Sequence, residues 1–215
     1  MEGPPLSRQP FWEDAYSAGA SDPFGSASVE VVGLLDHLAP GSTVLDLGCG
    51  VGRNAIPLAR AGMRVMCVDV SEAACARLRE TAGTLSLDTG VVCEDALTFE
   101  FSRAYDVVIA HGMLHLFPCQ SRQQLLARIK AHTVPGGLNV VAVFTDRLLA
   151  PPDMADQFVG LFGEGELSAA YADWVVELDQ AYTLNDEHGG GLKHEHPVNK
   201  LVARKPSAFA TAATR

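Results

Sequence analysis

Positive charge is scarce in this 215-residue chain: 16 Lys and Arg stand against 26 Asp and Glu, a formal net charge of -10. A surface of that sign repels phosphate backbones and anionic lipid, so neither nucleic acid nor a membrane surface is an expected partner. Aromatic residues amount to only 7%. No stretch approaches the roughly 20 consecutive apolar residues that cross a bilayer, and Met1-Glu2-Gly3-Pro4-Pro5 lacks the basic-then-apolar order of a secretory signal. A soluble, cytoplasmic protein is the expectation. The five cysteines, Cys49, Cys67, Cys75, Cys93 and Cys119, are odd in number and form no CxxC pair. Most sit in apolar runs where Cys acts as a small hydrophobe, which argues against a disulfide framework and against a zinc site.

What the chain does have is 47% hydrophobic residues, enough for one sizeable core. Between residues 43 and 144, short β-branched runs alternate with segments of helical period, the pattern of a parallel sheet with crossover helices. Strands are predicted at 43–47, 64–69, 90–93, 105–110 and 138–144. Helices are predicted at 54–61, 71–81 and 121–132, with Ser71 as an N-cap and the third helix stopping before Pro135-Gly136-Gly137. Residues 28–38 place Val31, Leu34, Leu35 and Leu38 at helical spacing, a helix expected to cover one sheet edge. Beyond 144 the pattern weakens. Pro151-Pro152 breaks the chain, 164–171 reads as a helix, and 174–182 with 196–204 reads as an antiparallel hairpin around Gly189-Gly190-Gly191. The expected division is an aromatic covering segment at 1–27, an α/β domain at 28–205 and a fraying tail at 206–215.

The most informative stretch is Asp46-Leu47-Gly48-Cys49-Gly50-Val51-Gly52-Arg53-Asn54, a strand running into three alternating glycines and then a helix. Glycines there let a ligand lie against the main chain at the positive end of the helix. A dinucleotide fingerprint requires glycine where Arg53 stands, which weakens a pyrophosphate reading. The second strand ends in Asp69, whose carboxylate suits the two hydroxyls of a ribose. The loop after the third strand carries Asp95, placed to accept from an adenine amine. Glycine turn, ribose acid and adenine acid follow in the order in which a nucleoside lies across strand ends.

With these residues the chain resembles the class I S-adenosylmethionine-dependent methyltransferases, and within them the small tellurite-resistance and thiopurine-type branch. That branch has counterparts to Phe11-Trp12-Glu13-Asp14-Ala15-Tyr16, to Gly52-Arg53-Asn54 and to Pro135-Gly136-Gly137. The resemblance implies a Rossmann-like, seven-stranded, mostly parallel sheet with helices on both faces and an antiparallel last strand. It implies a monomer or homodimer that methylates a small soluble acceptor, with S-adenosylmethionine as cofactor. Carried over by position, Gly48, Gly50 and Gly52 line the amino-acid end of the cofactor, with Asp46 orienting the turn or meeting the ammonium. Asp69 holds the ribose, Asp95 the adenine amine with Ala96 beside the ring, and Asn54, Val70 and His111 complete the set.

Methyl transfer is an in-line displacement, so positioning does much of the work. A thiolate or selenide needs no protein base, whereas an amine or hydroxyl favours a nearby one. The candidate catalytic groups are His111, Tyr16, Asn139 and Tyr171. His115, set among Leu114, Leu116 and Phe117, reads rather as a structural histidine. Phe11, Trp12, Tyr16 and Phe24 either close over the sulfonium as an aromatic face or clasp an exposed sheet edge. His188, His194, Glu195 and His196 are not expected to bind metal, because His194 and His196 are expected on opposite strand faces. Two other functions stay open: a lyase in which the cofactor's own α-amine attacks its γ-carbon, releasing methylthioadenosine and azetidine-2-carboxylate, and a cofactor-binding protein without turnover.

Overall fold

The computed structural model describes residues 11–18, 24–152, 154–188 and 192–207. Seven strands form one sheet in the order β3-β2-β1-β4-β5-β7-β6. They are β1 (Thr43–Leu47), β2 (Arg64–Asp69), β3 (Thr89–Cys93), β4 (Tyr105–His111), β5 (Thr133–Phe144), β6 (Val175–His188) and β7 (Leu192–Arg204). The first five are parallel, and β7, the last in the chain, runs antiparallel between β5 and β6. The helices are α1 (Phe11–Ser17), α2 (Val29–Val32), α3 (Ala55–Arg60), α4 (Glu72–Thr84), α5 (Cys119–Ala131) and α6 (Glu166–Ala170). No described helix is long and apolar enough to cross a membrane.

The apolar runs of β1, β4 and the second half of β5 are buried on both faces, which is why they lack alternation, while β3 at the sheet edge is only half-buried. One layer packs Leu45, Val108 and Val141 against Leu125 and Ile129 of α5; the other packs Val44, Ile109 and Val140 against Val31, Leu58 and Leu78. Ser71 caps α4, its hydroxyl accepting from the Ala74 N–H at 3.1 Å. After β3 the chain crosses the sheet to pair β4 with the other edge of β1. The carboxyl ends of β1 and β4 are therefore a switch point in the strand order, where an open parallel sheet leaves a crevice.

Three expectations need correction. The helix expected at 28–38 is α2 alone, followed by a 3-10 turn over Gly33–Asp36, because Gly33 weakens the helix in mid-run. Pro135-Gly136-Gly137 does not precede β5 but lies within it, where Gly136 has a φ of 81° and the β4 register shifts. A Cβ on Gly137 would lie 2.8 Å from the Asp106 carbonyl, so only glycine lets the two strands stay paired there. The hairpin strands also run longer than expected, to His188 and from Leu192.

Candidate active site

A cavity of about 800 Å³ opens over the carboxyl ends of β1, β2 and β4. Its inner wall is the turn between β1 and α3. Gly48 and Gly50 line it, both in the left-handed region, at φ 68° and 54°. A Cβ on Gly48 would come within 2.9 Å of Met113, and one on Gly50 would overlap the Tyr16 hydroxyl. Gly52 does not line the cavity: its missing Cβ makes room for Leu78 of α4, a packing role. Asn54 is likewise set back, its side-chain oxygen accepting from the Ser28 N–H at 3.0 Å.

Asp69 and the glycine turn are one unit. Its carboxylate accepts from the Gly50 N–H at 2.7 Å and from the Ser71 N–H at 2.9 Å. Burial raises its pKa against the pull of those two bonds. Behind the turn Asp46 is only 2% exposed, and its Oδ2 has no hydrogen-bond partner among the described residues. Burial pushes the Asp46 carboxyl up to about 7, with the Arg53 guanidinium opposing and Asp69 adding to the rise. Val70, Asp95 and Ala96 line the same cavity. One Asp95 oxygen accepts from the Leu97 N–H at 2.9 Å, which fixes the loop after β3.

Over this floor lies the segment leading into α2. Arg53 donates to the Phe24 and Ser26 carbonyls at 3.4 and 3.2 Å, and its other terminal nitrogen donates to His111 Nδ1 at 2.7 Å. The neutral ring then carries its proton on Nε2, which lies 2.8 Å from Glu30 and 2.9 Å from the Ser28 hydroxyl. Glu30 also receives Lys200 of β7 at 3.0 Å. Burial works against ionising Glu30, but its bonds to His111, its own backbone and Lys200 prevail and hold it near 2. Burial lowers the pKa of His111 despite the Glu30 bond. His111 lines the cavity, and both its nitrogens are engaged within the protein, so that it ties Arg53 to Glu30.

The outer part of the cavity is aromatic. Phe144 stacks between His115 and His196, at centroid distances of 4.2 and 4.6 Å, and Phe158 sets its edge against all three rings. The Phe144 N–H donates to His115 Nδ1 at 3.2 Å, which leaves the proton of the neutral ring on Nε2. Burial lowers the His115 pKa to about 3, so the ring stays neutral and is a poor base. The loop that carries Phe158 is held close by Gly160, whose N–H donates to the His115 carbonyl at 3.0 Å. Trp12, Tyr16 and Phe24 close the other side, the last two edge to face at 5.3 Å. Burial first, then the Asp69 charge, raises the Tyr16 pKa far above its ordinary value. The Phe11 side chain lies outside the described residues, as do the expected hairpin glycines Gly189 to Gly191 and the tail from 208.

Two expected catalytic residues are elsewhere. Asn139 and Tyr171 are fully buried and bonded to each other, the Tyr171 hydroxyl donating at 3.0 Å to an Asn139 side chain that itself donates to Thr133. Asn139 pairs in register with Val108, five residues before the Phe144 end of β5, or about 16 Å from the crevice at strand rise. A further correction concerns His194 and His196. Two residues apart, they share one strand face, with ring centroids 5.7 Å apart. Among the described residues no group of three potential ligands is placed to hold a metal. The sequence reading missed Glu30, Lys200, Phe144 and Phe158. It gave Arg53 no role of its own, although a lone Arg just after a ligand turn was itself a signal.

A methyltransferase domain model matches residues 44–137. Hemagglutinin 1 of Eikenella corrodens is 34% identical over 79% of this chain and 56% of its own length. A probable S-adenosyl-L-methionine-dependent methyltransferase, TehB of Haemophilus influenzae, is 31% identical over 75% of this chain and 57% of its own. The chain thus spans little more than half the length of these relatives. A carboxy-S-adenosyl-L-methionine synthase of Alteromonas mediterranea is 30% identical over 73% of this chain and 68% of its own. The crystal structure of Haemophilus influenzae TehB superimposes with a TM-score of 0.76 at 25% identity, covering 90% of this chain and 67% of that one. Sheet order, glycine turn and these likenesses agree: the chain belongs to the class I S-adenosylmethionine-dependent methyltransferase family.

Proposed function

We propose that this chain binds S-adenosylmethionine in the cavity above β1 and β4 and transfers its methyl group to a small soluble acceptor. The supporting observation is that the glycine turn and the acids after β2 and β3 line one cavity, Gly48 and Gly50 with Asp69 and Asp95, while behind the turn the Asp46 carboxyl is buried with one oxygen unpartnered among the described residues. The cofactor's ammonium is a chemically matched partner for it. Gly48 and Gly50 would take the amino-acid end, where a Cβ would collide with Met113 or Tyr16. Asp69 would accept from the ribose hydroxyls with lone pairs not used by Gly50 and Ser71, and Asp95 would receive the adenine amine beside Ala96 and Val70.

When bound, S-adenosylmethionine supplies a methyl group on a sulfonium, open to in-line attack from the opposite side. Trp12, Tyr16 and Phe24 exclude water there and offer ring faces to a cation. Several ionisable groups around the cavity are committed: Arg53 and Glu30 hold His111, Lys200 pairs with Glu30, His115 stays neutral and the Tyr16 phenol stays protonated. This favours an acceptor whose nucleophile is already a free anion or lone pair, positioned against Phe144, Phe158 and the His115 Nε2–H. A cavity of about 800 Å³ suits a nucleoside cofactor with a small acceptor beside it.

Calorimetric titration of S-adenosylhomocysteine into wild-type protein and Asp69→Ala tests the reading. Loss of charge-assisted hydrogen bonds is expected to weaken binding about tenfold or more in the variant. Equal affinity in both, or no binding to the wild type, would remove the assignment.

A further inference from the structure

Two thiols meet beside the strand end that carries Asp69, outside the cavity and unused by the reading above. Cys75 lies in the first turn of α4, fully buried, with its Sγ 3.5 Å from the Asp69 carbonyl and 3.8 Å from the Val92 carbonyl. Cys93 ends β3 directly opposite Asp69 in the parallel register. It is exposed, and its Sγ reaches the Val70 carbonyl at 3.7 Å. Cys75 Sγ rests on the carbonyl of Val92, the residue that precedes Cys93, so the two thiols adjoin where α4 packs on β3. Thus one accessible sulfur is backed by one buried sulfur, and both rest on the carbonyls of consecutive residues at the cavity rim.

We propose that Cys75 and Cys93 are a peroxide-sensitive pair that closes to a disulfide and loosens the Asp69–Val70 end of β2. In the first step the Cys93 sulfur attacks hydrogen peroxide. An S–O bond forms as the O–O bond breaks, and the thiol proton leaves with the released hydroxide as water. In the second, the Cys75 sulfur attacks the sulfenic sulfur of Cys93. The S–S bond forms, the S–O bond breaks, and the Cys75 proton leaves with the hydroxide as a second water. Two electrons pass from the thiol pair to one peroxide.

The division of labour follows from exposure. Cys93 meets the oxidant, while Cys75, whose thiol burial pushes up to about 12, is shielded from it and reacts only with its neighbour. Closure consumes both S–H groups, so the Asp69 and Val70 carbonyls lose their thiol donors. It also draws α4 and β3 together across a bond of about 2 Å. Cys49 and Cys67 are both buried, and Cys119 is exposed and far along the chain.

The test treats cofactor-free protein with hydrogen peroxide, blocks remaining thiols and maps the peptides by mass. A Cys75–Cys93 cross-link is expected, absent in Cys93→Ser, while Cys75→Ser leaves a Cys93 sulfenic acid that a cyclic diketone traps. Titration of S-adenosylhomocysteine into the oxidised protein is expected to show affinity lowered about fivefold, restored by dithiothreitol. Peroxide that oxidises Cys93 and Cys119 alike without a cross-link overturns the proposal, as does a cross-linked protein of unchanged affinity. Linkage is read by mass alone, so failure of cofactor binding in untreated protein would refute the functional reading and leave the thiol chemistry separately decided.

Discussion

Asp46 makes cofactor binding depend on pH in a calculable way. In the cofactor-free fold its carboxyl is held at about 7 by burial, and the proposed ammonium contact requires the ionised form. The apparent Kd then scales as one plus ten to the power of pKa minus pH. Between pH 7 and pH 5.5 that factor grows from about 2 to about 33, a weakening of about 16-fold. An α-amine titrates near 8, so the ligand remains an ammonium throughout this window and does not itself produce the trend. Calorimetry at pH 6 in buffers of different ionisation enthalpy is expected to detect about 0.9 proton released from Asp46 per cofactor bound. Asp46→Asn removes this component and flattens the curve. The same residue acts on stability with the opposite sense. Its folded pKa lies above the ordinary carboxyl value of 3.8, so its contribution to the cofactor-free fold is full below about pH 4 and lost as pH rises through 7. At pH 8, Asp46→Asn is therefore expected to be more stable without cofactor, by an unfolding free energy on the order of 1–3 kcal/mol, while binding cofactor more weakly. A variant with the wild-type pH slope would refute the reasoning.

Three further outcomes follow. Gly50→Ala places a Cβ at a φ of 54° against the Tyr16 hydroxyl, so cofactor affinity should fall more than tenfold while far-ultraviolet circular dichroism stays unchanged. Arg53→Met removes the ties to Phe24, Ser26 and His111; hydrogen exchange at residues 24–30 should accelerate, and unchanged protection would show that the tie holds nothing. Tyr171→Phe breaks the buried bond to Asn139 and should lower stability by about 1–2 kcal/mol with methyl-transfer kinetics intact, whereas a large loss of kcat at equal folding would return Tyr171 to the site.

The inner wall of the cavity was legible because it is local. Gly48, Gly50, Asp69 and Asp95, which line it, lie within one β-α-β-α-β run, where strand ends and turn residues punctuate the sequence. The outer compartment was not, because it is assembled from β4, β5, β7 and the loop around Phe158, whose sequence distances carry no periodic signal. Glu30 and Lys200 meet at 3.0 Å across almost the whole chain, and no local pattern announces such a pair. Asn139 misled for a related reason. A polar residue in an apolar strand suggests a site, but Pro135-Gly136-Gly137 joins β5 and sets Asn139 deep in the sheet, where Thr133 and Tyr171 satisfy it. Gly52 shows the converse: it belongs to the motif by spacing, yet its side-chain vacancy is filled by Leu78.

The most direct test of the account is mass spectrometry of purified protein incubated with S-adenosylmethionine, alone and with a panel of thiols, amines, phenols and metalloid oxyanions. S-adenosylhomocysteine and a methylated product are expected only when an acceptor is present, with anions and neutral amines preferred over ammonium and hydroxyl groups. Methylthioadenosine formed without any acceptor, above the protein-free background, would contradict the account.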